Sequence, residues 1–138
     1  MREEVGILVQ RRLEQADEAL EDARVLLEAG RVTRSLTHRA YYVMFHAVLA
    51  LLQTRGTVPG KHSHAIGLFD QDLIKTGLLP RELSRILHRA FESRQEADYR
   101  NLDPIDRDDA VELLRDARLF VDQIREFLMP APGPQNTE

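Results

Sequence analysis

Cysteine and tryptophan are both absent from the 138 residues. Without cysteine there are no disulfides, no thiolate-held zinc, no iron–sulfur cluster and no thiol nucleophile. Lysine is scarce: Lys61 and Lys75 stand against 17 arginines. That bias has two readings, a compositional drift (GC-rich genome, heat adaptation) or anion recognition, for which a planar guanidinium suits phosphate better than an ammonium. A run long enough to cross a bilayer is also missing. The longest uncharged stretch, Ala40–Thr54, falls short of the roughly 20 residues that a spanning helix needs. Met1-Arg2-Glu3-Glu4 brings acids at once and opens no apolar segment, so the sequence predicts no leader peptide, no membrane and a cytoplasmic protein.

What remains is the composition of one soluble globular domain, 43% apolar and 30% charged. The net charge of −4 argues against a simple basic nucleic-acid binder. The total conceals a split. From Ala29 to Phe69 there is no Asp or Glu, while Arg31, Arg34, Arg39, Arg55 and Lys61 lie there with His38, His46, His62 and His64. The acids are concentrated in the rest of the chain.

Apolar spacing is helical almost throughout, and no segment alternates as a strand would. Leu13, Ala16, Leu20, Ala23 and Leu27 make one stripe, which Gly30 ends. Leu36, Ala40, Val43, Ala47, Val48, Leu51 and Leu52 make a second, ending before a loop at Gly56–Gly60. A short third helix is expected from Ser63, as its N-cap, through Ile66, Phe69 and Leu73 to Gly77. Pro80 opens a fourth carrying Leu83, Ile86, Leu87 and Ala90, which breaks over Tyr99–Ile105. Asp103 or Asp106 caps the last, whose stripe from Ala110 to Leu128 is the clearest in the chain. The expected fold is all-α, an up-and-down four-helix bundle with one extra short helix over residues 1–129, followed by a disordered Pro-rich tail at 130–138.

Two places break the amphipathic pattern. Arg94 stands on the same face of the fourth helix as Leu83, Leu87, Ala90 and Ala97. A charge on an inward face must be paired or must face a cleft. Asp98, one turn on, could pair with it; a groove offered to phosphate is the other solution. On the second helix, Arg39, Tyr42 and His46 form a row opposite the apolar stripe, flanked by Tyr41 and Phe45. That row is either a hydrogen-bonded part of the core or the wall of a cleft or dimer interface shared with Arg94–Tyr99. Elsewhere the chemistry is sparse. His62 and His64 beside Lys61 lack a third ligand for zinc, His88 belongs to a solvated face, and no glycine-rich phosphate loop is present. No metal or cofactor is called for.

Four ordered segments, Arg39-Ala-Tyr-Tyr-Val-Met-Phe-His-Ala47, Lys61-His-Ser-His-Ala-Ile-Gly-Leu-Phe69, Ile74-Lys-Thr-Gly77 and Arg94-Gln-Glu-Ala-Asp-Tyr99, carry a family resemblance. From Val5 to Leu128 the chain resembles a short prokaryotic branch of the HEPN family (higher eukaryotes and prokaryotes nucleotide-binding). The resemblance implies a helical bundle that forms a homodimer. It also implies a toxin–antitoxin or defence role, nucleotide or RNA as ligand, and a minimal nucleotidyltransferase as antitoxin partner, in some systems adding AMP to a tyrosine. Many such proteins cut RNA without a metal through an R-x4-6-H motif facing its symmetry mate.

Here that motif is degenerate, R-x4-Y, with Tyr99 where the histidine belongs. Arg31/His38, Arg39/His46 and Arg81/His88 also fit an R-x6-H pattern, but none lies before the last helix. Tyrosine, with a pKa of about 10, is a poor substitute for histidine in proton transfer near neutral pH. The candidate catalytic set is therefore Arg94 with Tyr99 or His46, and Arg39, Tyr42, Asp98 and Lys61 are candidates for nucleotide or RNA contact. Three functions stay open: a nucleotide- or RNA-binding module partnering a nucleotidyltransferase, an active metal-independent ribonuclease toxin, and a non-catalytic helical dimerisation module.

Overall fold

The computed structural model describes residues 3–57, 59–100 and 106–129, with backbone alone at 97–100. The described residues are helices joined by turns. In chain order they are α1 (Glu3–Glu28), α2 (Arg34–Thr54), α3 (His62–Phe69), a π-helical turn (Asp70–Ile74), α4 (Arg81–Arg100) and α5 (Arg107–Leu128). The four long helices make the bundle, and α3 with the π turn forms the crossover from α2 to α4. The tail from Pro130 lies outside the described residues.

The centre is α2, which packs against α1, α3, α4 and α5. Twelve of its 21 residues are buried, more than a single stripe supplies, so this helix is enclosed on most sides. In the row opposite its apolar stripe Arg39 is exposed and Tyr42 and His46 are half-buried. Against α2, α1 turns the small buried residues Ala16, Ala19 and Ala23, which permit close approach of the two helices. Gly30 ends α1 at φ +72°, a left-handed conformation suited to glycine, and Gly30 and Arg31 return their N–H groups to the carbonyls of Leu27 and Leu26 at 3.0 and 2.8 Å.

The last helix starts where the sequence suggests. Asp106 accepts the Asp109 N–H at 2.9 Å, a side-chain N-cap. Arg107 donates to the Leu27 carbonyl at 3.1 Å, so α5 begins beside the end of α1, and Arg125 pairs with Asp17 at 2.8 Å further along. Phe120 is fully buried, its ring 5.6 Å from that of Phe69, which joins the crossover to the bundle core.

Two details of the crossover differ from the expectation, and a third adds a partner to a residue read correctly. First, α3 starts at His62, not after a Ser63 cap: the Lys61 carbonyl accepts the Ala65 N–H at 3.1 Å and closes the first turn a residue or two early. Second, the helix does not continue evenly to Gly77. It widens into the π turn, where Lys75 N–H reaches the Asp70 carbonyl at 2.9 Å. Third, His88 is partly exposed as expected but not unpartnered: its Nε2 lies 2.6 Å from Asp70 Oδ2, while Asp70 Oδ1 accepts from Ser84 Oγ at 2.7 Å. Asp70 thus fastens the π turn to α4.

Phe120→Ala removes a fully buried ring from the junction of α5 with the crossover. It should lower the free energy of unfolding by about 3–5 kcal/mol in urea titrations, and a loss below about 1 kcal/mol would place that junction outside the cooperative core.

Candidate functional site

Arg94 is half-buried on α4 and turned towards α2 and α3. Its Cζ lies 5.1 Å from the Tyr41 ring centroid and 5.7 Å from that of Tyr42, within cation–π range of both. One terminal nitrogen is 3.3 Å from Nδ1 of His62. Nε is buried and has no hydrogen-bond partner, and no carboxylate among the described residues lies within ion-pair distance of the guanidinium.

His62 occupies the first helical position of α3 and is held on three sides. Its ring stacks on Phe45 at 4.0 Å with an interplanar angle of 10°. Tyr41 stacks at 5.7 Å, and Tyr42 meets the ring edge-on at 6.1 Å. Nδ1 is 2.9 Å from the Tyr41 hydroxyl as well as 3.3 Å from Arg94. A guanidinium can only donate, so Nδ1 must accept, and the proton of the neutral ring sits on Nε2. The Tyr41 hydroxyl then donates to the same nitrogen. Burial and the Arg94 charge both hold the His62 pKa below the ordinary histidine value. Burial pushes the Tyr41 phenol up, against the opposing pull of Arg94, so it keeps its proton at neutral pH.

The spacing that builds this cleft is simple. Tyr41 and Phe45 are one turn apart on α2 and so share a face, and α3 lays His62 flat against it. Tyr41, Tyr42, Phe45 and His62 all come from the acid-free segment, and α4 supplies the cation together with Phe91, whose ring lies 5.7 Å from that of Tyr41. A neutral histidine, two tyrosines and an arginine with no carboxylate at ion-pair distance among the described residues form a site suited to an anion.

The residues named from sequence are distributed unevenly around it. Arg94 and Tyr42 are in the cleft. His46 touches Tyr42 with ring centroids 6.0 Å apart, and its pKa is lowered by burial and then by Arg12 of α1. Its Nδ1 is buried without a partner, but the histidine that meets Arg94 is His62. Arg39 is exposed, 3.8 Å from Asp22, and lines a shallow depression of about 330 Å3 with Arg34, Ser35, His38 and Tyr42. Lys61 is exposed and precedes His62 at the start of α3. Asp98 and Tyr99 fall in α4, but their side chains lie outside the described residues, and with them the Arg94–Asp98 pair. Sequence reasoning missed His62 and gave Tyr41 only a flanking place. The available signal was the i, i+4 pair Tyr41/Phe45, an aromatic platform that needs a flat partner.

The HEPN domain profile matches residues 9–127. A UPF0332 protein of Thermotoga maritima is 34% identical over 82% of this chain and 85% of its own length. A Methanocaldococcus jannaschii protein whose name calls it a candidate toxin is 33% identical over 93% of this chain and 91% of its own. A second protein of that organism, named in the same way, is 32% identical over 85% and 79%.

The hydrogen-bond pattern makes the His62 pKa a direct reporter of Arg94. In NMR titrations His62 should titrate below 6.5, and Arg94→Gln should raise its pKa towards that value; equal pKa values in the two proteins would contradict the contact. Because the unfolded chain takes up protons that folded His62 and His46 resist, stability should fall as pH drops from 6.5 through their folded pKa values.

Proposed function

The chain belongs to the HEPN domain family, and on that premise we propose that it is a toxin-like HEPN protein whose Arg94 cleft binds the phosphate of RNA or of a nucleotide. The observation that carries this reading is the state of Arg94: a half-buried guanidinium over two tyrosine rings, with a neutral histidine as its hydrogen-bond partner and no carboxylate at ion-pair distance among the described residues. Such a group keeps its charge for a ligand. A phosphate entering the cleft would accept from the guanidinium fork, and Tyr42, half-buried where Tyr41 is fully buried, offers the ring surface on which a base can stack. Relatives whose names call them candidate toxins support the toxin-like role. The same reading includes a cytoplasmic homodimer and a nucleotidyltransferase antitoxin as partner, with Tyr99 as the residue that receives AMP.

One observation favours a second reading, metal-independent RNA cleavage. The histidine missing after Arg94 is replaced in space by His62, which is neutral at pH 7 and in contact with that arginine. When phosphate draws Arg94 away and the Tyr41 hydroxyl turns its hydrogen bond from Nδ1 to a phosphate oxygen, Nδ1 can take the proton of a ribose 2′-hydroxyl. The 2′-oxygen then bonds to phosphorus, the bond to the 5′-oxygen breaks, and that oxygen takes up a proton from water. Arg94 would stabilise the added negative charge on the phosphate.

Both readings are tested with one set of proteins. Arg94→Ala should weaken binding of an oligoribonucleotide about tenfold or more, the loss of a charge-assisted contact; equal affinity would overturn the cleft as a phosphate site. With RNA in EDTA, wild type should cut and His62→Ala should be slower by about 100-fold or more. Intact RNA with wild type removes the cleavage reading and leaves binding as the function.

A further inference from the structure

On the face of α4 opposite Arg94 runs an open groove of about 870 Å3, bordered on its other side by the end of the π turn. Helical periodicity places Arg81, Arg85 and His88 along one face, while Arg94 points to the other. Lys75 adds a further cation from the turn. His88 is engaged by Asp70, and Arg89 by Glu112 and Asp116 at 3.7 and 3.5 Å. Lys75, Arg81 and Arg85 have no carboxylate at ion-pair distance among the described residues. Asp70, beside the groove, is itself occupied by Ser84 and His88, and Glu92 is the one carboxylate in the lining. Ile74 is its one apolar member.

We propose that this groove is a second docking site, independent of the Arg94 cleft, for the phosphate backbone of single-stranded RNA. Arg81 and Arg85 stand one helical turn apart, a repeat close to that of successive phosphates along an extended strand. A protein partner would need an apolar core to its interface, and Ile74 alone does not provide one. Contacts of this kind position a strand without reading its sequence. The proposal rests on the RNA reading of the cleft for its choice of ligand, but it uses none of the cleft residues.

The test compares wild type, Lys75→Gln/Arg81→Gln/Arg85→Gln and Arg94→Ala, all three side chains of the triple variant being exposed and outside the core. Affinity for a labelled oligoribonucleotide of about 15 nucleotides is followed between about 50 and 200 mM KCl, beside that for the dinucleotide ApA. The triple variant should bind the oligonucleotide about tenfold or more weakly, and its slope of log affinity on log salt should be shallower by about 2, from three lost phosphate contacts. Its ApA affinity should remain that of wild type. Wild-type affinity and slope in the triple variant would overturn the proposal. So would wild type that ignores RNA yet binds a polyglutamate peptide through these three residues, an acidic protein partner being then the occupant. If Arg94→Ala leaves ApA binding unchanged while the triple variant loses the oligonucleotide, the cleft reading fails and the groove stands.

Discussion

The donation from Arg94 to Nδ1 of His62 is the contact on which the character of this site depends. A guanidinium cannot accept, so the contact fixes the histidine tautomer and directs the Tyr41 hydroxyl to donate to the same nitrogen. The arginine charge, added to burial, keeps the ring neutral. In return the histidine gives the guanidinium one weak partner, with no carboxylate at ion-pair distance among the described residues. An aspartate there would form an ion pair and satisfy the cation. A neutral imidazole leaves most of its charge available, and each group therefore holds the other in a reactive state: the arginine with no carboxylate at ion-pair distance among the described residues, the histidine unprotonated.

The bundle makes that arrangement affordable. A cation with no carboxylate beside it cannot be set in a closed core, and Arg94, which has none at ion-pair distance among the described residues, is only half-buried where α4 meets α2 and α3. The rings of Tyr41 and Tyr42 offset part of the lost hydration through cation–π contact. Their positions follow from the central place of α2, which leaves one polar-aromatic side near solvent while its remaining surface is packed. On the far face of α4 the same economy appears in reverse: Asp70 is used up within the fold by Ser84 and His88, and the arginines of the groove remain without it.

Much of this was legible in one dimension. Four long helices could be read because their stripes repeat at the helical period, and the ends marked by Gly30 and Asp106 depend on local chemistry that a sequence states outright. Arg94 was legible because an arginine on an apolar face contradicts the pattern. His62 was not, since nothing near residue 62 says that its ring will lie on Phe45, 17 positions earlier, or meet Arg94 across 32. The start of α3 misled in the same place: Ser63 is a good cap by type, yet the backbone closed its turn from Lys61. The Asp70–His88 pair spans 18 positions and two elements, and such pairings become visible only when the chain is folded.

The central claim is that Arg94 is held by His62 until an anion takes it. Ring 15N shifts of His62, with the Arg94 Nε–H resonance, followed at pH 7.5 as ApA is added, test it most directly. If the account is right, Nδ1 moves away from the hydrogen-bonded shift it shares with Arg94, and the Arg94 resonance moves in step. If ApA reaches saturating concentration and neither resonance moves, the arginine is not released to phosphate, and this cleft is not the anion site.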